Sequence, residues 1–323
     1  MLDRNGRSIE YVRLSITDRC NLRCRYCMPE SGVTSLRHEE LLTFEEIVRI
    51  VKQLPPLGIH AVRLTGGEPM VRRDCMELIR MLHDLEGIDR IAMTTNGILL
   101  KGRVAEAKEA GLQAVNISLD TLDKEQYAYI TRRGRLEEVM ETIEEAIEAG
   151  LKVELNVVPL KGINEDCLCE VARLAKKAPV AVRFIELMPI GCARTLEPVP
   201  LDQVRSRMNQ AFGELREDTA THGLGPATYV KPPGFIGSLG FIGAITHEFC
   251  GSCNRIRITP EGKLKLCLNH QPAMDLREML RHGCEDSELR EKIREAIWNK
   301  PLHHGFLEKL PDREERRINQ IGG

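Results

Sequence analysis

YVRLSITDRCNLRCRYC, residues 11–27, opens as a β-branched run and closes on three cysteines. The same succession, a strand followed by a turn rich in useful chemistry, recurs five more times downstream. The run YVRLSIT at 11–17 reads as the first strand. AVRLT at 61–65 reads as the second and is followed by Gly66-Gly67-Glu68-Pro69. IAMTT at 91–95 is the third and runs into Asn96-Gly97. AVNISL at 114–119 is the fourth, with Ser118, Leu119 and Asp120 at its end. VELNVV at 153–158 is the fifth and carries Asn156, and VRFIELM at 182–188 is the sixth, before Pro189.

Between these runs the apolar period changes from two to about 3.6. Thr43 and Glu46 have capping-box spacing, and Ile47, Ile50, Val51 and Leu54 follow on one helical face. Leu78, Met81, Leu82 and Leu85 mark a second helix, and Val139, Ile143, Ala146 and Ile147 mark a long one ending at Gly150. A further helix is expected from about Glu165 to Lys177. Six β/α units in series predict a parallel sheet, because each parallel strand needs a crossover. A doubly wound sheet would gather its site at one switch point, whereas a barrel gathers it from many strand ends. Useful residues after every strand therefore favour an α/β fold built on a partial (β/α)6 TIM-type barrel over residues 1–200. After about residue 200 short strands and glycine turns appear, as in GFIGSLGFIGA at 234–244, and Leu289, Ile293, Ala296 and Ile297 stripe a last helix. A smaller mixed C-terminal subdomain is expected over 201–323.

The chain has 323 residues, 42% of them apolar, enough for a sizeable core. Its 46 Lys and Arg nearly balance 48 Asp and Glu, which argues against a general nucleic-acid or membrane-surface binder. The polar start MLDRNGRSIE does not read as a signal peptide, and no apolar stretch reaches membrane-spanning length. A cytoplasmic location is expected. An odd count of eleven cysteines in a reducing compartment points to metal ligation or catalysis rather than a disulfide framework. Cys75, Cys167, Cys169, Cys192 and Cys284 are scattered and read as small apolar residues or inert thiols.

The other six form two triads. Cys20-x3-Cys24-x2-Cys27 offers three thiolates in a short loop, with no fourth Cys or His close by. Structural zinc requires four ligands, whereas an iron–sulfur cube on three cysteines keeps one iron free to bind a small molecule. A zinc knuckle completed from elsewhere remains the alternative. Cys250-x2-Cys253-x13-Cys267 repeats the theme, and His270 would complete a Cys3His zinc site, so zinc and a second cluster are equally compatible with that spacing. Gly66 and Gly67 permit close backbone approach, and exposed carbonyls with Glu68 offer acceptors for an ammonium group.

Cys20-Asn-Leu-Arg-Cys24-Arg-Tyr26-Cys27 after a first strand resembles the radical S-adenosylmethionine (SAM) superfamily signature, and GGEP after the second resembles that superfamily's methionine-binding motif. The resemblance implies that Cys20, Cys24 and Cys27 hold a 4Fe-4S cluster whose open iron chelates SAM. It also implies that Tyr26, Gly66, Gly67, Glu68, Ser118 and Met188 line the SAM site, with Met188 against adenine. The segment from Gly240 through Cys250, Cys253, Arg255, Arg257 and Cys267, with the terminal Gly322-Gly323, closely resembles the GTP 3',8-cyclase family of molybdenum-cofactor biosynthesis. That resemblance runs from about Tyr11 to the last residue. It implies a second three-cysteine 4Fe-4S cluster on Cys250, Cys253 and Cys267, with GTP at its open iron. It further implies GTP contacts from Arg13, Arg63, Thr94, Arg255, Ile256 and Arg257, and a catalytic contribution from Gly322, Gly323, Arg255 and Arg257. The chain departs from several relatives at Glu154, where they carry lysine; Lys152 and Lys161 are the nearby substitutes, and Thr131-Arg-Arg-Gly-Arg135 is another basic stretch.

An external electron donor is implied, and a cyclic pyranopterin monophosphate synthase is the implied consumer of the product. No nucleic-acid or membrane partner is expected, and monomer and homodimer both stay open. Two rivals stand beside this expectation. A radical SAM peptide maturase also carries C-terminal cysteines, and a zinc-stapled binding protein or iron–sulfur electron carrier would use the triads without catalysis.

Overall fold

Each central strand alternates apolar and polar residues, and that period of two separates the faces of the sheet. The computed structural model describes residues 1–220, 222–308 and 313–322. Within them the strands are β1 (Tyr11–Ser15), β2 (Ala61–Thr65), β3 (Arg90–Thr95), β4 (Ala114–Ser118), β5 (Lys152–Val157) and β6 (Val180–Ile185). The later strands are β7 (Arg216–Glu217), β8 (Thr228–Lys231), β9 (Ser238–Ile242), β10 (Arg255–Ile258), β11 (Lys263–Lys265) and β12 (Met274–Asp275). They form one sheet in the order β12-β11-β10-β1-β2-β3-β4-β5-β6-β9-β8-β7. The eight strands from β10 to β9 pair in parallel, and the outer pairs are antiparallel.

On the outer face Val12, Leu14, Val62, Leu64, Ile91, Met93, Val115 and Ile117 are buried in one core, under helices such as Phe44–Val51, Cys75–His83 and Leu136–Glu148. Burying each such side chain contributes about 1.5–3 kcal/mol. The Thr43 cap is present: Glu46 N–H donates to Thr43 Oγ1 (3.1 Å) and Thr43 N–H to the Glu46 carboxylate (2.8 Å). The inner face carries Arg13, Arg63, Thr94, Ser118, Asn156, Arg183 and Arg257, and all seven line one cavity. Strands spread across such a sheet share a cavity only when the sheet curls, which is the partial-barrel architecture.

Two expectations change. The helix anticipated over 165–177 is two short pieces, Leu168–Ala172 and Leu174–Lys177. Asn164 holds the preceding turn instead: its Oδ1 accepts from Leu160 N–H (2.7 Å) and its Nδ2 donates to Asp120 O (2.9 Å). The division at residue 200 does not separate two cores. β9 extends the barrel sheet beyond β6, and β10 extends it beyond β1. Leu239, Ile256, Ile258 and Leu289 belong to the same buried cluster as Val12. Among the described residues no helix is long and apolar enough to cross a membrane.

Candidate active site

The cavity lies at the inner face and the strand ends. Cys20, Cys24 and Cys27 line one region, together with Tyr26, Gly66, Gly67, Ser118 and Met188. Cys250, Cys253 and Cys267 line the same cavity, together with Arg13, Arg63, Thr94, Arg255 and Arg257. Both triads therefore open on one space, although 222 residues separate Cys27 from Cys250.

The GGEP turn works differently from the expectation. A Cβ on Gly66 would lie 2.6 Å from Thr17 O, and one on Gly67 would lie 2.4 Å from Arg19 O. The glycines admit the backbone of the cysteine loop, which Gly67 N–H and Glu68 N–H grip through Thr17 O (2.8 Å) and Arg19 O (2.9 Å). Glu68 does not line the cavity and is fully buried. Its carboxylate accepts from Thr95 Oγ1 (2.8 Å), Asn96 N–H (2.7 Å) and Met70 N–H (3.2 Å). Burial pushes its pKa up to about 7 against those donors. Glu68 thus braces the second and third strand ends and is not placed to meet an ammonium group. Ile256 is likewise buried in the core on the far face of β10, since strand alternation turns it away from Arg255 and Arg257. Only its backbone remains on offer to a ligand.

Tyr26 donates its hydroxyl to Asp120 (2.8 Å), whose other oxygen accepts from Val158 N–H (2.8 Å). Burial raises the Asp120 pKa to about 6. Gly322 is buried with φ +75°, and its carbonyl accepts from Arg257 Nη1 (2.6 Å). Gly323 lies outside the described residues.

No disulfide joins the cysteines of either triad. Burial raises the Cys20 thiol to about 11 and lifts Cys24 and Cys27 further, with their neighbours' charges adding to it. Three thiols in a dry wall, each unfavourable to ionise alone, fit a cationic iron group that would neutralise them together. At the second triad burial pushes Cys253 up, but the Arg255 and Lys300 charges outweigh it and bring it down to about 6. His270 does not line the cavity; its Nε2 lies 3.1 Å from His303 O, so the Cys3His zinc arrangement is not formed. Glu248, Cys250 and His304 do bring donor atoms together at the cavity rim. Among the scattered cysteines, Cys75 and Cys284 pack in the core, and Cys167 lies 3.3 Å from Thr121 Oγ1.

The arginines are electrostatically loaded. Burial and mutual repulsion, partly offset by Tyr11, bring Arg13 down to about 9; burial and the Arg255 charge bring Arg257 down to about 10. Tyr11 is raised by burial, yet four surrounding guanidinium groups outweigh this and hold it at about 7. An anion entering here relieves repulsion already present. Arg183, not singled out from the sequence, joins them: it donates to Asn156 Oδ1 (3.0 Å from Nε) and pairs with Glu154 (2.5 Å). Its signal was available. Val12-Arg13-Leu14, Val62-Arg63-Leu64, Val182-Arg183-Phe184 and Ile256-Arg257-Ile258 are the same triplet, an arginine between two apolar residues of a buried strand.

Glu154 also accepts from Asn116 Nδ2 (2.6 Å) and lies 4.0 Å from Arg63. Lys161 is exposed and paired with Glu197, away from the cavity. Lys152 belongs to a second cavity at the N-terminal ends of the strands.

Residues 14–175 match the Radical SAM superfamily and residues 180–306 match Molybdenum Cofactor Synthesis C. A GTP 3',8-cyclase of Clostridium perfringens is 43% identical over 323 residues, spanning 100% of both chains. The chain belongs to the GTP 3',8-cyclase family. A GTP 3',8-cyclase of Heliobacterium modesticaldum is also 43% identical, again over the whole of both chains. Membership makes the chain a radical SAM enzyme, and with it the two 4Fe-4S clusters and SAM are its cofactors. The fold is shared more widely: Streptococcus suis SuiB superposes with TM-score 0.64 at 16% identity, covering 92% of this chain and 67% of that one.

Proposed function

We propose that this cavity carries out the reaction for which the GTP 3',8-cyclase family is named. GTP becomes (8S)-3',8-cyclo-7,8-dihydroguanosine 5'-triphosphate, the first step of molybdenum-cofactor biosynthesis. The observation that carries this reading is the opening of both cysteine triads and five arginines onto one space. Cys20, Cys24 and Cys27 hold the cluster that binds SAM, and Cys250, Cys253 and Cys267 hold the one that faces guanine. Held at the cluster of Cys20, Cys24 and Cys27 and given one electron, SAM would supply a 5'-deoxyadenosyl radical able to take the hydrogen from C3' of the ribose.

The chain's own residues bind, orient and exclude water. Gly66 and Gly67 shape the wall against which methionine lies, Ser118 offers a hydroxyl to the SAM ribose, and Met188 packs on adenine. Arg13, Arg63, Arg255 and Arg257 hold the triphosphate as rigid forks, which suits phosphate better than lysine does. Thr94 adds a hydroxyl. Arg183 is a fifth cation, partly neutralised by Glu154. Bringing C3' and C8 together in a closed cavity is work of positioning, and Gly322 closes it beside Arg257. Bond formation leaves an unpaired electron on the guanine, so a second electron and a proton complete each turnover. An external reductant supplies both electrons. A cyclic pyranopterin monophosphate synthase consumes the product, and the setting is the cytoplasm.

The test is anaerobic incubation of the reconstituted, reduced protein with SAM and GTP, with ATP and no nucleotide as controls. A cyclised product of GTP mass with 5'-deoxyadenosine, both dependent on GTP, is expected. Formation of 5'-deoxyadenosine without that product, at a rate indifferent to GTP, overturns the substrate assignment.

A further inference from the structure

Lys300 is 2% exposed, and among the described residues no carboxylate lies within ion-pair distance of it. A buried ammonium without a counter-ion is costly, by several kcal/mol in general. Its Nζ donates to Arg255 O (2.9 Å) and to Leu266 O. These two carbonyls belong to the segments that present Cys253 and Cys267; burial pushes the Lys300 pKa down, and those two thiols are the acidic groups that oppose it. The third cysteine is tied to the same point through Arg7. Arg7 Nη1 donates to Cys250 O (2.9 Å) while Nη2 donates to Lys300 O (3.0 Å). Arg7, by contrast, carries its own counter-ion: Asp3 lies 2.6 Å away and is equally buried. Arg7 is therefore a neutralised brace, whereas Lys300 is a buried cation without a carboxylate partner among the described residues, seated on the backbone that presents the triad.

We propose that Lys300 is the fixed counter-charge of the second cysteine triad, positioning Cys253 and Cys267 and raising the reduction potential of the cluster they hold. This rests on the assignment of that triad as cluster ligands. A reduced cluster carries one more negative charge than an oxidised one, so a fixed cation nearby favours reduction, and removing it shifts the potential downward. Both carbonyl hydrogen bonds run along the backbone, so the contribution of charge is separable from that of geometry. Lys300→Gln keeps a donor amide without charge, and Lys300→Arg keeps the charge.

The experiment uses the full chain with Cys20, Cys24 and Cys27 all replaced by Ala, so that any cluster sits on the second triad. Iron per chain is counted, and the midpoint potential is followed by electron paramagnetic resonance in a redox titration. If the parent binds no iron, the ligand assignment fails and not the role of Lys300. With iron retained, Lys300→Gln is expected to titrate at a more negative potential than the parent and Lys300→Arg close to it. An unchanged potential in an iron-replete Lys300→Gln protein overturns the proposal. If Lys300→Gln does not fold, judged by thermal melting, Lys300→Arg decides: a parental potential upholds the counter-charge, and a shifted potential with full iron refutes it.

Discussion

Arg257 Nη1 donates to the carbonyl of Gly322 at 2.6 Å, which places the penultimate residue of the chain against a guanidinium of the substrate cavity. The tail reaches that position because Asn319 Nδ2 also donates to Asp18 O (3.1 Å), in the turn between β1 and the first cysteine triad. Residues 319–322 thus pack between the turn after β1 and Arg257 of β10.

Gly322→Ala should detach the tail. The residue has φ +75°, and an added Cβ would lie 2.7 Å from Ser15 Cβ and 3.0 Å from Thr65 Oγ1. A left-handed non-glycine residue costs about 1–3 kcal/mol, and overlap adds to it, so docking should weaken at least about tenfold. The cyclised product per 5'-deoxyadenosine should fall, with iron content unchanged. Equal product yield would separate tail docking from the chemistry.

Glu314→Gln should release the same tail from further away. Lys265 and Glu314 form a fully buried ion pair, and Arg316 holds both Glu314 oxygens at 3.0 Å. Breaking one side of such a pair costs about 3–5 kcal/mol, while removing both charges is close to neutral. Hydrogen exchange over 316–322 should rise in Glu314→Gln and return toward wild type in the Lys265→Met, Glu314→Met double variant. Burial works against the Glu314 carboxylate, but Arg316 and Lys265 outweigh it and hold its pKa at about 2. Because this pKa is depressed, the clasp is complete above the ordinary carboxylate range and fails only as pH falls toward 2. Exchange in the tail should therefore not change between pH 8 and 5, within about a factor of two after correction for intrinsic rates.

Glu68→Gln should flatten part of the pH dependence of stability. The pKa of Glu68 is raised to about 7, so its contribution is complete below the ordinary value of 4.5 and is lost as pH rises through 7. Cluster-free wild type should lose more stability between pH 5 and 8 than the variant does, measured by urea unfolding at each pH.

Glu154→Gln should strengthen nucleotide binding. Glu154 holds Arg183 at 2.5 Å and stands 4.0 Å from Arg63, so it competes with a triphosphate for both. Charge-assisted hydrogen bonds of this kind are worth about 1.5–3 kcal/mol, and a neutral amide returns part of that to the ligand. KM for GTP should fall about three- to tenfold with a steeper salt dependence. A higher KM would mean that Glu154 orients Arg183 productively and does not oppose it.

Much of the fold was legible in the sequence. The six strand runs, the Thr43 cap and most of the helical stripes are local signals, and the first five strands appear within two residues of their expected places, while the sixth ends three residues early. Glu68 was misplaced because a carboxylate beside two glycines looks available until Thr95 and Asn96 from the next strand close over it. Arg183 was missed because it falls in none of the motifs that carry the family resemblance; the triplet it shares with Arg13, Arg63 and Arg257 was the signal that could have found it.

By itself the sequence determined the parallel β/α order, the two thiolate triads and the arginine triplets, because period, spacing and residue chemistry are properties of contiguous chain. Tertiary structure alone decided that β9 and β10 continue the barrel sheet on either side and bring Cys250, Cys253 and Cys267 to the cavity of Cys20, Cys24 and Cys27. It also decided that Lys300 sits on the backbone beside Cys253 and Cys267, and that Glu154 faces arginines. Those relations depend on long-range strand pairing and on which buried charge meets which, and neither is encoded in the spacing of neighbours along the chain.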